Sequence, residues 1–555
     1  MIALGLYHRR PSMEAWDTIV IGDGPAALRA ASSAASNGSN TLLMSADSLG
    51  TPGTSALDGI AAPLKEGTIK SHRDDTIRAG AFLCDQDIVS TRISQAIRQV
   101  DLLERWGVIF RRDTDGIPLV RRAGGHTLPR LSGAGDAMVR ETQQVLEEQC
   151  MKHGVTRRGD QIPLELVHSD FSVNGLISLD MTTGQLTALQ AKTIIIADGG
   201  YEGIWTGAPI GLGLDMAMRA GLPVRNLEFI SWTPLAVPDT NVVLPIGLLA
   251  DGAKILQPSG APIDAEESAN PNAISRAIFS SGSAVLDARN LESSGVWWSQ
   301  TSELISTRLG INMNKQTIPL QPTISTTLGG ITVDEHGRAI FNKWSRWFTG
   351  LYAAGDAACS GVHGAGLVAG NRLLDALSGG AAAGEHAAEY AKEAEFSGRN
   401  SLETYLGVVE ADLDIDLTVV EEGMVQRAGP LFSKLKSITN SQIAESRDGK
   451  GLESAIESLE NLYGDAEKIY VDDKNRLFNT NLLSSLRLKA GIRLAIATAK
   501  SALSRTESRG GHQRSDYETL DEEQMHHTLV DVEGNISKLA IRKGTSGEWV
   551  LSPDQ

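Results

Sequence analysis

Cysteine is almost missing from this 555-residue chain: Cys84, Cys150 and Cys359 are the only three, far apart and without a Cys-x-x-Cys pair. That excludes a disulfide framework and an iron-sulfur cluster held by the chain's own thiols, and it suits a reducing compartment. Positive charge is also short. The chain has 51 Lys and Arg against 68 Asp and Glu, a formal charge of −17, which argues against nucleic acid or an anionic membrane surface as a direct partner. No apolar stretch approaches the ~20 residues a membrane helix needs. No apolar run follows Arg9-Arg10, so a twin-arginine signal is rejected, and Met13 is a candidate start that leaves residues 1–12 as a disordered extension. Aromatics make up 5% while glycine reaches 57 residues, the balance of a large α/β chain rich in tight turns. Its length allows several domains and ample core. The expected location is cytoplasmic.

The stretch Asp17 to Ala30 organises the rest. Thr18 to Ile21 is a β-branched apolar run that reads as a buried parallel strand. Gly22, Gly24 and Ala27 then give G-x-G-x-x-A, with Pro25 and Ala26 inside the turn and an alanine-rich helix reaching about Ser36. Gly22 permits the turn, Gly24 lets backbone approach a diphosphate, and Ala27 lets helix pack on strand. The diphosphate sits at the positive end of that helix. A second strand, Thr41 to Met44, follows and ends in Ser45-Ala46-Asp47, which is no clear ribose-binding acid. The stretch reads as a dinucleotide site.

Further along, Leu49 to Pro63 is a glycine- and proline-rich loop, residues 86–107 have helical spacing, and another helix lies near 133–153. Thr193 to Ala197 is an apolar strand ending in Asp198-Gly199-Gly200. From Trp232 to about Ser325, prolines and short mixed segments read as an inserted cap. Gly329 to Val333 and Leu351 to Ala354 restore strand character, the second running into Gly355-Asp356 ahead of a helix from about Gly370 to Ala394. Residues 400–508 are mostly helical, and a hairpin pairs His527 to Val532 with Ile536 to Arg542.

In this order and spacing, the chain resembles the flavoprotein subunit of succinate dehydrogenase and fumarate reductase, a group that includes L-aspartate oxidase and adenylylsulfate reductase relatives. The likeness runs from about residue 15 to residue 545. Its markers are the N-terminal G-x-G, Ser55-Ala56 with Gly59-Ile60, Asp85-Gln86-Asp87, and Gly124-Gly125-His126 with Pro129-Arg130. Then come Ala197 to Gly200, Leu351 to Asp356, Val362-His363-Gly364-Ala365, Gly370-Asn371 with Leu373-Leu374-Asp375, and Ser508 to His512 with Arg514 and Asp516-Tyr517.

The resemblance implies an α/β fold: a two-part Rossmann-like FAD-binding domain (13–232 and 326–396) interrupted by an α+β capping domain (233–325). A helical domain (397–508) and a small C-terminal module (509–555) follow. It implies FAD held through Gly22, Gly24, Pro25, Ala26, Ala27, Ser45, Ser55, Ala56, Gly59, Ala197, Gly199, Gly200, Gly355, Asp356, Asn371, Arg372 and Leu373. Asp356 is expected to accept ribityl hydroxyls, a helix N-cap being its alternative role. Catalytic roles fall to Arg276 and His363.

Departures from the family pattern are concentrated around the substrate. Pro52 stands where membrane-complex members carry a flavin-linking histidine, so FAD is expected to be non-covalent. Thr233 and Ser325 replace two histidines, Leu367 an arginine, and Leu244-Pro245 a Thr-Glu pair. Arg276 matches the proton-moving arginine of the family, with a surface helix arginine as the alternative. Arg372 stands where the family has serine, as a cation beside the flavin or an outward-facing side chain. Losing charged hydrogen bonds worth roughly 1.5–3 kcal/mol each removes most affinity for a dicarboxylate.

The leading expectation is an FAD-dependent oxidoreductase with a small-molecule substrate, a carboxylic acid among the options. It would pass electrons to an iron-sulfur subunit and sit at the inner face of the cell membrane through that subunit's anchors. The alternatives are a stand-alone enzyme with a less charged substrate and a non-catalytic FAD-binding subunit.

Overall fold

The computed structural model describes residues 12–50, 59–65, 67–263, 270–292, 295–341, 346–418 and 426–553. The first strand, Ser12–Ile21, starts six residues before the apolar run and lies at the centre of an eight-stranded sheet. It pairs in parallel with Thr41–Met44 on one side and Gln185–Ile196 on the other, in a register that sets Ile19 beside Ile194 and Ile21 beside Ile196. Trp347–Ala353 extends the parallel array from Gln185–Ile196. The two strands Gln161–Ser169 and Ser172–Asp180, which the sequence did not suggest, join antiparallel at that edge.

Helix Pro25–Ser36 covers the sheet and packs on the long helix Asn371–Glu393. Small residues make that approach possible. A Cβ at Gly380 would stand 2.5 Å from the Ala26 carbonyl oxygen, and one at Gly384 would stand 2.1 Å from that of Ala30.

The segment expected to cap the site is bracketed by strands Ile230–Thr233 and Thr323–Thr327, which pair antiparallel. Between them lie a three-stranded sheet, the helices Pro271–Ser281 and Ser299–Leu309, and an apolar cluster of their own built on Leu235, Leu248, Ile278, Leu286, Trp298 and Ile305. Four helices, Arg399–Thr418, Ala428–Gln442, Gly449–Ala466 and Thr480–Ser504, fill the helical region.

The C-terminal hairpin His527–Val530 and Ile536–Leu539 is no separate body. Its first strand pairs with Val224–Arg225, in one sheet with Gly330–Thr332 and Ala358–Cys359. Buried arginines join it to the core. Arg505 donates to Glu228 (2.7 Å) and Glu507 (3.0 Å), and Arg225 donates to Asp85 (3.0 Å), which also meets His527 Nε2 at 3.1 Å. The Arg509 to Tyr517 motif is spent within this seam, Arg509 on Glu507 and Arg514 on Asp516.

Among the described residues, no helix is long and apolar enough to cross a membrane.

Candidate functional site

Two adjoining cavities open along the C-terminal ends of the parallel strands, where a doubly wound sheet holds its ligands. The smaller, about 410 Å³, is lined by Gly24, Pro25 and Ala26 at the start of the first helix, by Ala197 to Gly200, and by Gly355 and Asp356. Its helix terminus has no side-chain cap and carries proline in the first turn, leaving the free N–H groups of that turn for an anion.

Gly24 and Gly199 are both bare: a Cβ added to either meets nothing within 4 Å, so the glycines keep space open over the backbone. Gly22 acts differently. Its φ is +129°, and a Cβ would collide with the Ala197 carbonyl oxygen at 2.3 Å, so it serves strand packing. Ala27 is fully buried behind the turn. Shape, bare glycines and helix terminus together fit a dinucleotide such as FAD.

The larger cavity, about 690 Å³, runs from Gly59 and Leu373 to the capping segment, where Trp232, Thr233, Leu244 and Ser325 form its wall with Leu367. Glu202 and Arg372 line both cavities. The electrostatics of the site are acid-rich. Burial, reinforced by the Asp47 charge, pushes Asp23 up to about 6, and burial alone pushes Asp198 up to about 6 against the helix N–H groups it accepts. Asp198 Oδ2 accepts the Gly213 N–H at 2.7 Å, while Oδ1 is buried without a partner. Burial also pushes Glu202 up to about 7, with Arg372 opposing the rise and Asp356 adding to it.

Several expected site residues are engaged otherwise than expected. The Arg372 guanidinium is held by Asp356, with Nε 2.9 Å from Oδ2, so it is no unneutralised cation beside the flavin. The same pair occupies the carboxylate expected to receive ribityl hydroxyls. Arg276 points out of the cavity, its Nη1 donating to the Gly510 carbonyl at 3.2 Å, because its turn of helix faces the C-terminal segment. The neighbouring Asn272 is spent on strand Ile230–Thr233, its Oδ1 accepting the Trp232 N–H at 2.6 Å and its Nδ2 donating to the Ile230 carbonyl at 3.2 Å.

His363 faces only a space of about 10 Å³, with Nε2 3.7 Å from Asp375. The Asn371 side chain is taken by His72 and Thr76, at 2.7 and 2.9 Å, rather than by the cleft. Ser45 accepts the Asp47 N–H at 3.1 Å and lines neither cavity. Pro52, Ser55 and Ala56 lie outside the described residues.

Sequence reasoning passed over Asp23, Asp47, Gln143, Asp198 and Glu202, all on the walls. The readable signal was acid inside glycine-rich turns, in Gly22-Asp23-Gly24 and in Asp198-Gly199-Gly200-Tyr201-Glu202.

Comparison with known proteins matches residues 17–373 to the FAD binding domain family and residues 433–548 to the fumarate reductase flavoprotein C-terminal family. The chain is 29% identical to a fumarate reductase flavoprotein subunit of Haemophilus influenzae, over 93% of this chain and 91% of that one. A succinate dehydrogenase flavoprotein subunit of Rickettsia bellii is 28% identical, each chain being 93% covered. Among solved structures, a quinol fumarate reductase FrdA of E. coli superposes with a TM-score of 0.89 at 25% identity, covering 98% of this chain and 99% of that one.

Proposed function

We propose that this chain, which belongs to the FAD binding domain family and is an FAD-dependent oxidoreductase of the succinate dehydrogenase and fumarate reductase flavoprotein type, acts on a substrate less charged than a dicarboxylate. One observation carries the reading. The wall of the larger cavity presents Thr233, Leu244, Ser325 and Leu367, and its cations among the described residues are Arg372, held by Asp356, and Lys436. Two carboxylates need convergent cations and donors in a closed pocket. A carboxylate buried without them costs several kcal/mol after relaxation.

FAD supplies two-electron redox chemistry when bound. The N–H groups at Pro25–Ser36, the bare Gly24 and Gly199, and the turn at Gly355 would hold it, and the capping segment would exclude water from the larger cavity. Pro52 supports non-covalent attachment. An iron-sulfur partner is the proposed exit for electrons, because the three cysteines are buried singly and no metal-holding group of side chains exists among the described residues.

The test uses the purified protein. Acid precipitation is expected to leave flavin in the supernatant, and succinate:dye turnover is expected to fall well below the ~1–10³ per second usual for enzymes. Succinate turnover within that range would overturn the proposal. Retained flavin that no metabolite bleaches anaerobically would favour a non-catalytic subunit.

A further inference from the structure

Among the described residues, Glu202 and Arg372 are the two charged side chains common to both cavities. Arg372 is held by Asp356, whereas Glu202 has no ion-pair partner among the described residues, and its Oε2 is buried without a hydrogen-bond partner. Gly200 makes room for it, since a Cβ there would stand 2.6 Å from Glu202 Oε2 and 2.4 Å from Thr327 Oγ1. The other ionisable groups on the larger cavity do not compete for its position. Asp239 is exposed to solvent and Lys436 is half-buried on helix Ala428–Gln442. Arg276 is turned to Gly510, and His363 faces a space with no room for a ligand.

We propose that Glu202 is the proton-holding residue of the redox site, a carboxylate while the bound flavin is oxidised and a carboxylic acid once two electrons have entered. This rests on the reading of the cleft as an FAD site. The two electrons come from the reductant, whether substrate or dithionite. The flavin takes one proton with them and Glu202 takes a second from substrate or water.

The cause is electrostatic. A carboxylate with one oxygen buried and unpartnered favours its neutral form, and a new negative charge nearby favours it further. Burial already places Glu202 at about 7, so the uptake occurs above about neutral pH.

The charges around it do not cancel this. Strand Thr323–Thr327 carries none, and helix Ala428–Gln442 brings Lys436 to the cavity. On helix Thr480–Ser504, Arg487 is paired with Asp47 and Arg493 with Asp215. Arg372 and Asp356 neutralise each other. Asp23 and Asp198 line only the smaller cavity.

The experiment is a redox titration of the FAD-loaded protein with dithionite and mediator dyes at a series of pH values above neutral, for wild type and Glu202→Gln. Wild type is expected to take up two protons per two electrons and the variant one, halving the slope of midpoint potential against pH. Equal slopes overturn the assignment. If the variant loses its flavin, reduced-minus-oxidised infrared difference spectra of wild type decide: a new protonated-carboxyl band supports the assignment, and its absence overturns it. A wild-type protein that retains no FAD would overturn the underlying reading and this assignment with it.

Discussion

At the seam between the C-terminal segment and the core, Glu228, Glu507 and Asp85 are buried and each is gripped by an arginine. Along the cleft, Asp23, Asp198 and Glu202 are half-buried on the cavity walls, and among the described residues none of the three has an arginine ion-pair partner. Burial acts on both sets in the same direction. At the seam it is outweighed: Arg225 and His527 hold Asp85 well below the usual carboxylate range, and Arg509 holds Glu507 below it. In the cleft nothing outweighs it, and all three acids rise. Paired acids fix a structure, whereas unpaired acids on a cavity wall are poised to exchange protons with what the cavity holds.

The strongest way to break this contrast is to make the seam resemble the cleft. Arg505→Ala strands the fully buried Glu228 and takes from Glu507 one of its two arginines, leaving Arg509, and is expected to cost about 3–5 kcal/mol, read as a lower urea midpoint or as loss of soluble protein. A change under about 1 kcal/mol would mean the seam acids do not depend on their arginine.

A smaller effect sharpens the cleft side. Asp198 rises from 3.8 to about 6 on folding, so the folded state binds its proton more tightly than the unfolded chain. Its contribution is favourable below the unfolded value, is lost as pH climbs from about 4 to about 6, and stays lost above. Asp198→Asn, which cannot ionise and can still accept the Gly213 N–H, should therefore gain on wild type by roughly 3 kcal/mol near neutral pH and gain little near pH 4. Urea unfolding of the apoprotein at both pH values checks this, and a pH-independent difference would contradict it.

The smallest effect is expected where neither regime applies. Arg105 and Asp101 pair along one helix with side chains 72% and 49% exposed. Arg105→Ala should shift stability by only about 0.3–0.5 kcal/mol in the same assay.

Much of the frame was legible in the residues. Strand Thr41–Met44, helix Pro25–Ser36 and the C-terminal hairpin lie where apolar runs and the G-x-G-x-x-A turn put them. Helix Thr68–Ala79 was missed because its buried side chains include His72, Asp74, Asp75 and Thr76, so no apolar stripe marks it. Those polar groups are buried because distant partners meet them, as Thr127 and Arg130 meet Asp75. No local pattern announces such a partner. The hairpin Gln161–Asp180 was passed over as well, and it is defined by pairing with Gln185–Ile196 rather than by any motif.

The sequence by itself determined the FAD half of the molecule. Turn geometry, helix start and strand burial depend on neighbours within a few residues, and glycine, proline and β-branched side chains write those constraints directly into the chain. Only the tertiary structure decided what the charged side chains do. Arg372 finds Asp356 across a loop, Arg276 turns to Gly510 instead of to the cavity, and Glu202 is left between two cavities with its Oε2 unpartnered. A long ionic side chain has many rotamers of similar energy, and the choice among them falls to partners and burial that exist only once remote segments have packed.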